Sequence, residues 1–171
     1  MVIWFRLIFL SLLAFGLSGC ILETKKPLFA DTDAKLLLAD YPNLAAYERD
    51  DDGWKKSDDP LSFTAEASHY LVKSGSSDMQ IFFVPIESLW WILQGTESTG
   101  PTSYVLVKAE PKELLVYSLD CKSLKDAGKY ENDIDFVDSD CFVKEGADKA
   151  ALFKSLTGFV KEPSTKLVSE P

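Results

Sequence analysis

From Tyr47 to Asp120 short apolar runs alternate with short polar breaks. "YERDDDGWKK" sets Tyr47 and Trp54 on either side of a polar turn containing Asp52-Gly53, a hairpin signal. "LSFTAE" places Leu61, Phe63 and Ala65 on one face of a strand and Ser62, Thr64 and Glu66 on the other. "HYLVK" predicts a further short strand, ended by Ser74-Gly75-Ser76-Ser77-Asp78. "MQIFFVPI" and "LWWILQ" are apolar on both faces, the pattern of central strands covered on both sides. Pro85 lacks the N–H a ladder needs, so the spacing predicts a bulge or strand break there. Gly95 to Pro101 reads as a loop. "SYVLVKA" and "ELLVYSLD" are joined tightly across Glu110-Pro111-Lys112. Connections this short predict an antiparallel meander, because a parallel crossover needs about a dozen residues.

After Cys121 the pattern changes. "KSLKDAG" predicts a short helix ended by Gly128. "IDFV" and "CFVK" are short strands. "DKAALFKSLTGFVKEP" has helical periodicity: Asp148 suits its N-cap, Leu152, Leu156, Phe159 and Val160 share one face, Lys161 falls in its last turn and Pro163 stops it. Its apolar stripe needs a sheet face to cover. "TKLV" adds a last strand. The expected fold class is therefore α+β, a single antiparallel, curved sheet of about six to eight strands in a meander, with one amphipathic carboxyl-terminal helix packed on it.

The opening of the chain follows a different rule. Arg6 is its only charge before Glu23, and Leu7 to Leu17 is an apolar run interrupted only by Ser11 and Gly16. That is too short to cross a bilayer as a helix, which takes about 20 apolar residues, and it has the length of a signal-peptide core. The run ends Leu17-Ser18-Gly19-Cys20. This resembles the lipobox of bacterial lipoproteins, in which a leucine, two small residues and a cysteine close the signal. The resemblance covers Met1 to about Ile21. It implies a thioether from Cys20 to diacylglycerol, cleavage between Gly19 and Cys20, and acylation of the new amino group. Small side chains at Ser18 and Gly19 suit close approach of a protease, and the thiol is the side chain here that is readily alkylated. Each buried methylene contributes about 0.8 kcal/mol, so two or three chains on one residue hold essentially permanently where one holds weakly. Ile21, rather than an aspartate, follows the cysteine; under the enteric sorting rule this leans towards the outer membrane, facing the periplasm. The resulting division is a signal peptide over 1–19, a lipidated tether over 20–35 and one β-rich periplasmic domain over 36–171.

Charge narrows the partners. The 171 residues carry a formal net charge of −9, near −10 once Arg6 is removed. An acidic chain is poorly suited to nucleic acid, whose phosphates need a basic face, and its electrostatics repel anionic lipid. Membrane lipid is therefore a partner through acylated Cys20, with another envelope protein or a small apolar ligand as further candidates. No cofactor is implied.

With Cys20 taken by lipid, Cys121 and Cys141 are left as an even pair in a compartment where disulfides persist, and they are expected to bond. A zinc thiolate pair is the alternative, without a nearby histidine to complete it. His69 is the only histidine. A hydrolase would need it as base, but Ser68 is its immediate neighbour in a strand, so the two side chains point to opposite faces. Asp133, Asp135, Asp138 and Asp140 offer oxygen ligands for calcium, yet Val137 stands where an EF-hand needs a third ligand and no glycine follows. They read first as a solvated face around Ile134, Phe136 and Val137. Trp90 and Trp91 face opposite ways in a strand; with Trp54 they are the candidate contacts to a ligand or partner. No pair of residues nominates a reaction. The leading expectation is a lipid-anchored, non-catalytic binding or envelope-scaffold module. A periplasmic hydrolase using His69, and a small lipoprotein inhibitor of an envelope-directed enzyme, are the alternatives.

Overall fold

The computed structural model describes residues 21–58, 62–74, 77–97 and 100–171. Leu17, Ser18, Gly19 and Cys20 lie outside the described residues, as does Leu61.

Among the described residues twelve strands form the sheet, more than the six to eight expected. The alternating runs β4 (Phe63–Glu66), β5 (His69–Ser74), β6 (Ser77–Glu87), β7 (Trp90–Glu97), β8 (Thr102–Glu110) and β9 (Glu113–Tyr117) form the predicted antiparallel meander in sequence order. Pro85 faces Trp91 and Glu87 faces Trp90, so one extra residue, Ile86, sits in a bulge beside the proline. Pro111 and Lys112 make a two-residue turn between the paired Glu110 and Glu113. The expected loop from Gly95 to Pro101 is shorter, because Gly95, Thr96 and Glu97 continue β7 and pair with β6. The hairpin of β2 (Leu44–Asp50) and β3 (Gly53–Lys56) turns at Asp51-Asp52, with Asp50 Oδ1 accepting the Asp52 N–H at 2.9 Å.

The last strand is not a peripheral addition. β12 (Thr165–Ser169) inserts between β2 and β9, antiparallel to both, and so joins the hairpin to the meander. On the edge of β8 facing away from β7 the sheet forks. Leu106–Glu110 of β8 pairs with β9, whereas Thr102 and Ser103 pair with β1 (Leu22–Thr24). β1 in turn runs parallel to β11 (Asp140–Val143), which forms a hairpin with β10 (Ile134–Val137).

Both faces of the central strands are buried, each by different means. On one face, Tyr70, Ile81, Phe83, Val107, Leu114 and Leu167 form a core closed by Leu37 and Leu38 of a 3-10 turn. That turn is held by the Lys35 N–H on the Phe83 carbonyl and by the Tyr41 hydroxyl on the Glu110 carbonyl (2.8 Å). On the other face Val84, Ile92, Tyr104 and Leu106 meet two helices, α1 (Cys121–Ala127) and α2 (Lys149–Thr157). α1 ends where Gly128 adopts a left-handed φ of 66°, as expected of a helix-ending glycine. α2 begins at the predicted cap, the Asp148 carboxylate accepting the Ala151 N–H at 3.1 Å, but it stops at Thr157. Phe159 and Val160 therefore pack on the core from a turn and not from the helix, their N–H groups bonded to the Leu156 carbonyl. Phe153, adjacent to Leu152, is fully buried and joins the stripe; a Phe→Ala change there is worth about 3–5 kcal/mol. Both predicted helices and the predicted last strand are present, so the fold has two helices where the expected class named one packed carboxyl-terminal helix.

Candidate functional site

The site is built where the described chain begins. Ile21 forms an antiparallel bridge with Asp120. Leu22 faces Cys141 across the parallel pairing and is fully buried. Glu23 lies between Phe142 and Ser103. Its carboxyl is pushed above the usual range, first by burial and then by the negative charge of Asp140, against the Ser103 hydroxyl, which favours the ionised form.

The next residues are stitched to the sheet by side chains that point out of its central strands. The Thr24 hydroxyl donates to the Lys26 carbonyl at 2.6 Å. Its proton is thereby used, so the 2.9 Å contact with the Tyr104 hydroxyl has Tyr104 as donor. The same phenolic oxygen accepts the Leu28 N–H at 2.9 Å. Burial raises the Tyr104 pKa, with the Thr24 and Leu28 hydrogen bonds acting the other way. Gln94, 1% exposed, grips the backbone of Phe29 at both ends: Oε1 accepts the N–H at 3.1 Å and Nε2 donates to the carbonyl at 3.2 Å. Lys149 Nζ donates to the Leu28 carbonyl, and Phe29 packs on Phe153 and Tyr104. The segment expected as a tether over 20–35 is, from Ile21 on, part of the folded body. Its short strand carries little local signal, and the partners that fix it lie far along the chain.

Cys121 and Cys141 are bonded, with Cα atoms 5.4 Å apart, as expected for the two cysteines left over from the lipobox. Closing a loop of 20 residues is worth roughly 3 kcal/mol in the chain-entropy account. The bond ties the start of α1, which follows the Asp120 that bridges Ile21, to β11, which pairs with β1. Asp120, beside it, caps α1 by accepting the Ser123 N–H at 2.8 Å.

Next to this corner is an open cleft of about 530 Å³ between α1 and the turn after α2, lined among others by Ser118, Asp120, Asp126, Phe159, Lys161 and Glu162. Its acids are already engaged. Asp120 is the helix cap, Asp126 pairs with Lys122 at 3.0 Å and Glu162 with Arg49 at 2.8 Å. The cleft offers a shallow mixed surface without a convergent pair of ionisable groups.

The other sequence candidates are placed elsewhere. His69 stacks on Phe82 (ring centroids 4.9 Å apart) with Glu66 Oε2 3.5 Å from Nε2. Both ring nitrogens are buried without a hydrogen-bond partner, so the contacts of His69 are those of a packed strand residue. Trp90 and Trp91 take opposite faces as predicted: Trp90 tilts onto Tyr117 (5.2 Å) at one core and Trp91 packs on the other. Neither lines the cleft beside α1. Trp54 is 37% exposed, with Lys166 Nζ 5.0 Å from its ring. Asp133, Asp135, Asp138 and Asp140 are strung along the β10–β11 hairpin, Asp135 3.5 Å from Lys144. Among the described residues no group of three or more His, Cys, Asp or Glu converges to hold a metal ion, and no helix is long and apolar enough to cross a membrane. Thr24, Gln94 and Tyr104 were not legible as site residues; the only hint is that Gln94 ends a run apolar on both faces. No protein family, curated protein or solved structure matches the chain.

Proposed function

We propose that this chain is a lipoprotein of the bacterial cell envelope, held by acyl chains on Cys20 in the outer membrane and facing the periplasm, where it serves as a non-catalytic binding or scaffold module. The carrying observation is Leu17-Ser18-Gly19-Cys20 at the end of an apolar run of signal-peptide length. One feature of the fold supports it: the Cys121–Cys141 bond suits an oxidising compartment. A binding or scaffolding role fits the site better than catalysis, because the one imidazole is packed against a ring and the acids of the cleft are spent on a cap and two ion pairs.

Fractionation of cells making the wild-type chain or Cys20→Ser tests this reading. The wild type should sediment with outer membrane, and the variant should not. Recovery of Cys20→Ser in the outer-membrane fraction would refute lipid anchoring at that thiol.

A further inference from the structure

Resting on that reading, we infer that acylated Cys20 holds the body flush against the bilayer, with the exposed β10–β11 turn, Val137 to Asp140, pressed onto the lipid headgroups. The inference turns on the length of free chain between the anchor and the fold. Ile21 already bridges Asp120, and Leu22 is buried against β8 and β11. No residue is left over as a leash, since a trans peptide sets neighbouring Cα atoms only about 3.8 Å apart. A tether of 15 residues would have given a reach of about 50 Å.

The register then says which side faces the lipid. β1 and β11 are parallel, with Leu22 opposite Cys141, so their amino-terminal ends lie side by side. The residues that precede β11 are the β10–β11 turn, which stands at the same end of the sheet as the point where residue 20 joins. All four residues from Val137 to Asp140 are exposed, and Val137 at 55% is more exposed than Leu89 (45%) or Trp54 (37%). The disulfide keeps this corner in one piece, since Cys121 follows the partner of Ile21 and Cys141 is the partner of Leu22. Charge does not make the contact. Asp138 and Asp140 sit in the turn, and a bilayer with anionic lipid repels them. The short covalent attachment imposes the contact, and Val137 is the side chain able to enter the interface.

A test uses full-length acylated protein extracted from envelopes, with a fluorescent amino acid at position 137. It is reconstituted in vesicles of phosphatidylethanolamine and phosphatidylglycerol whose headgroups carry a contact quencher. The wild-type linkage should be strongly quenched. Ten Gly/Ser residues inserted between Cys20 and Ile21 give a stand-off of about 17 Å and should reduce quenching several-fold. The unacylated Cys20→Ser protein lacking residues 1–19 should not be quenched. No quenching in the acylated protein, or equal quenching with and without the spacer, overturns the inference while leaving the anchor intact. Quenching of the unacylated protein shows that the turn binds lipid by itself and overturns the role given to the short linkage. A mass spectrum of the same sample without acyl groups on Cys20 removes the anchor itself, and the inference with it.

Discussion

Replacing Tyr104 with Phe isolates the contact that fastens the amino-terminal segment to the sheet. The ring is fully buried and its packing survives the change. The hydroxyl alone is lost, and with it the acceptor of the Leu28 N–H and the donor to Thr24 Oγ1. A net hydrogen bond is worth about 1 kcal/mol, and a group left unpaired in the interior costs more. Leu28 is only half-buried, so water can partly replace its lost acceptor. The sum is about 2 kcal/mol. For a domain of this size that lowers Tm by about 4–8 °C. Urea unfolding of Cys20→Ser protein lacking residues 1–19 reads the loss in the midpoint, and native-state hydrogen exchange reads it locally at the Leu28 amide. Thr24→Val in the same background completes a double-mutant cycle, in which the paired changes should cost less than their sum. A midpoint shift under about 0.5 kcal/mol, with the Leu28 amide as well protected as before, would refute the claim that this hydroxyl pins residues 24–28.

Reduction of Cys121–Cys141, or its replacement by two serines, should cost about 3 kcal/mol in denaturant unfolding; an unchanged midpoint in reductant would contradict a stabilising role. His69→Phe keeps the stack on Phe82 and removes two buried nitrogens without hydrogen-bond partners, so stability should rise by about 1 kcal/mol; a loss of stability would show that the Glu66 contact outweighs that removal. Glu23 binds its proton more tightly in the fold than in the unfolded chain, so its contribution to stability falls as pH rises from the ordinary glutamate range through the raised folded value. Glu23→Gln should therefore stabilise the protein at pH 7 and lose that advantage at about pH 3, as read by thermal melts across the range; an advantage independent of pH would place its cause elsewhere.

The meander was legible because its signals are local. Two-residue turns, Pro85 at a bulge and Gly128 at a helix end act within a few residues of themselves, and their consequences appear where the sequence put them. The disulfide followed from counting cysteines. What escaped depends on distant partners. Leu22-Glu23-Thr24 has no periodicity to read, and its partners, Ser103 and Cys141, lie far along the chain. β12 is read as a last strand, but its place between β2 and β9 cannot be seen until both are placed. Gln94 closes its apolar run like a surface residue, and only the Phe29 backbone lying over it explains its burial. α2 was drawn too long because Phe159 and Val160 keep the apolar stripe going after Gly158 has ended the helix.

The most direct measurement is the mass of the amino-terminal peptide of protein extracted from the envelope. The account predicts a chain that starts at Cys20 and carries a diacylglyceryl thioether with an acylated amino group. A chain that still starts at Met1, or one that starts at Cys20 with a bare thiol, would contradict it.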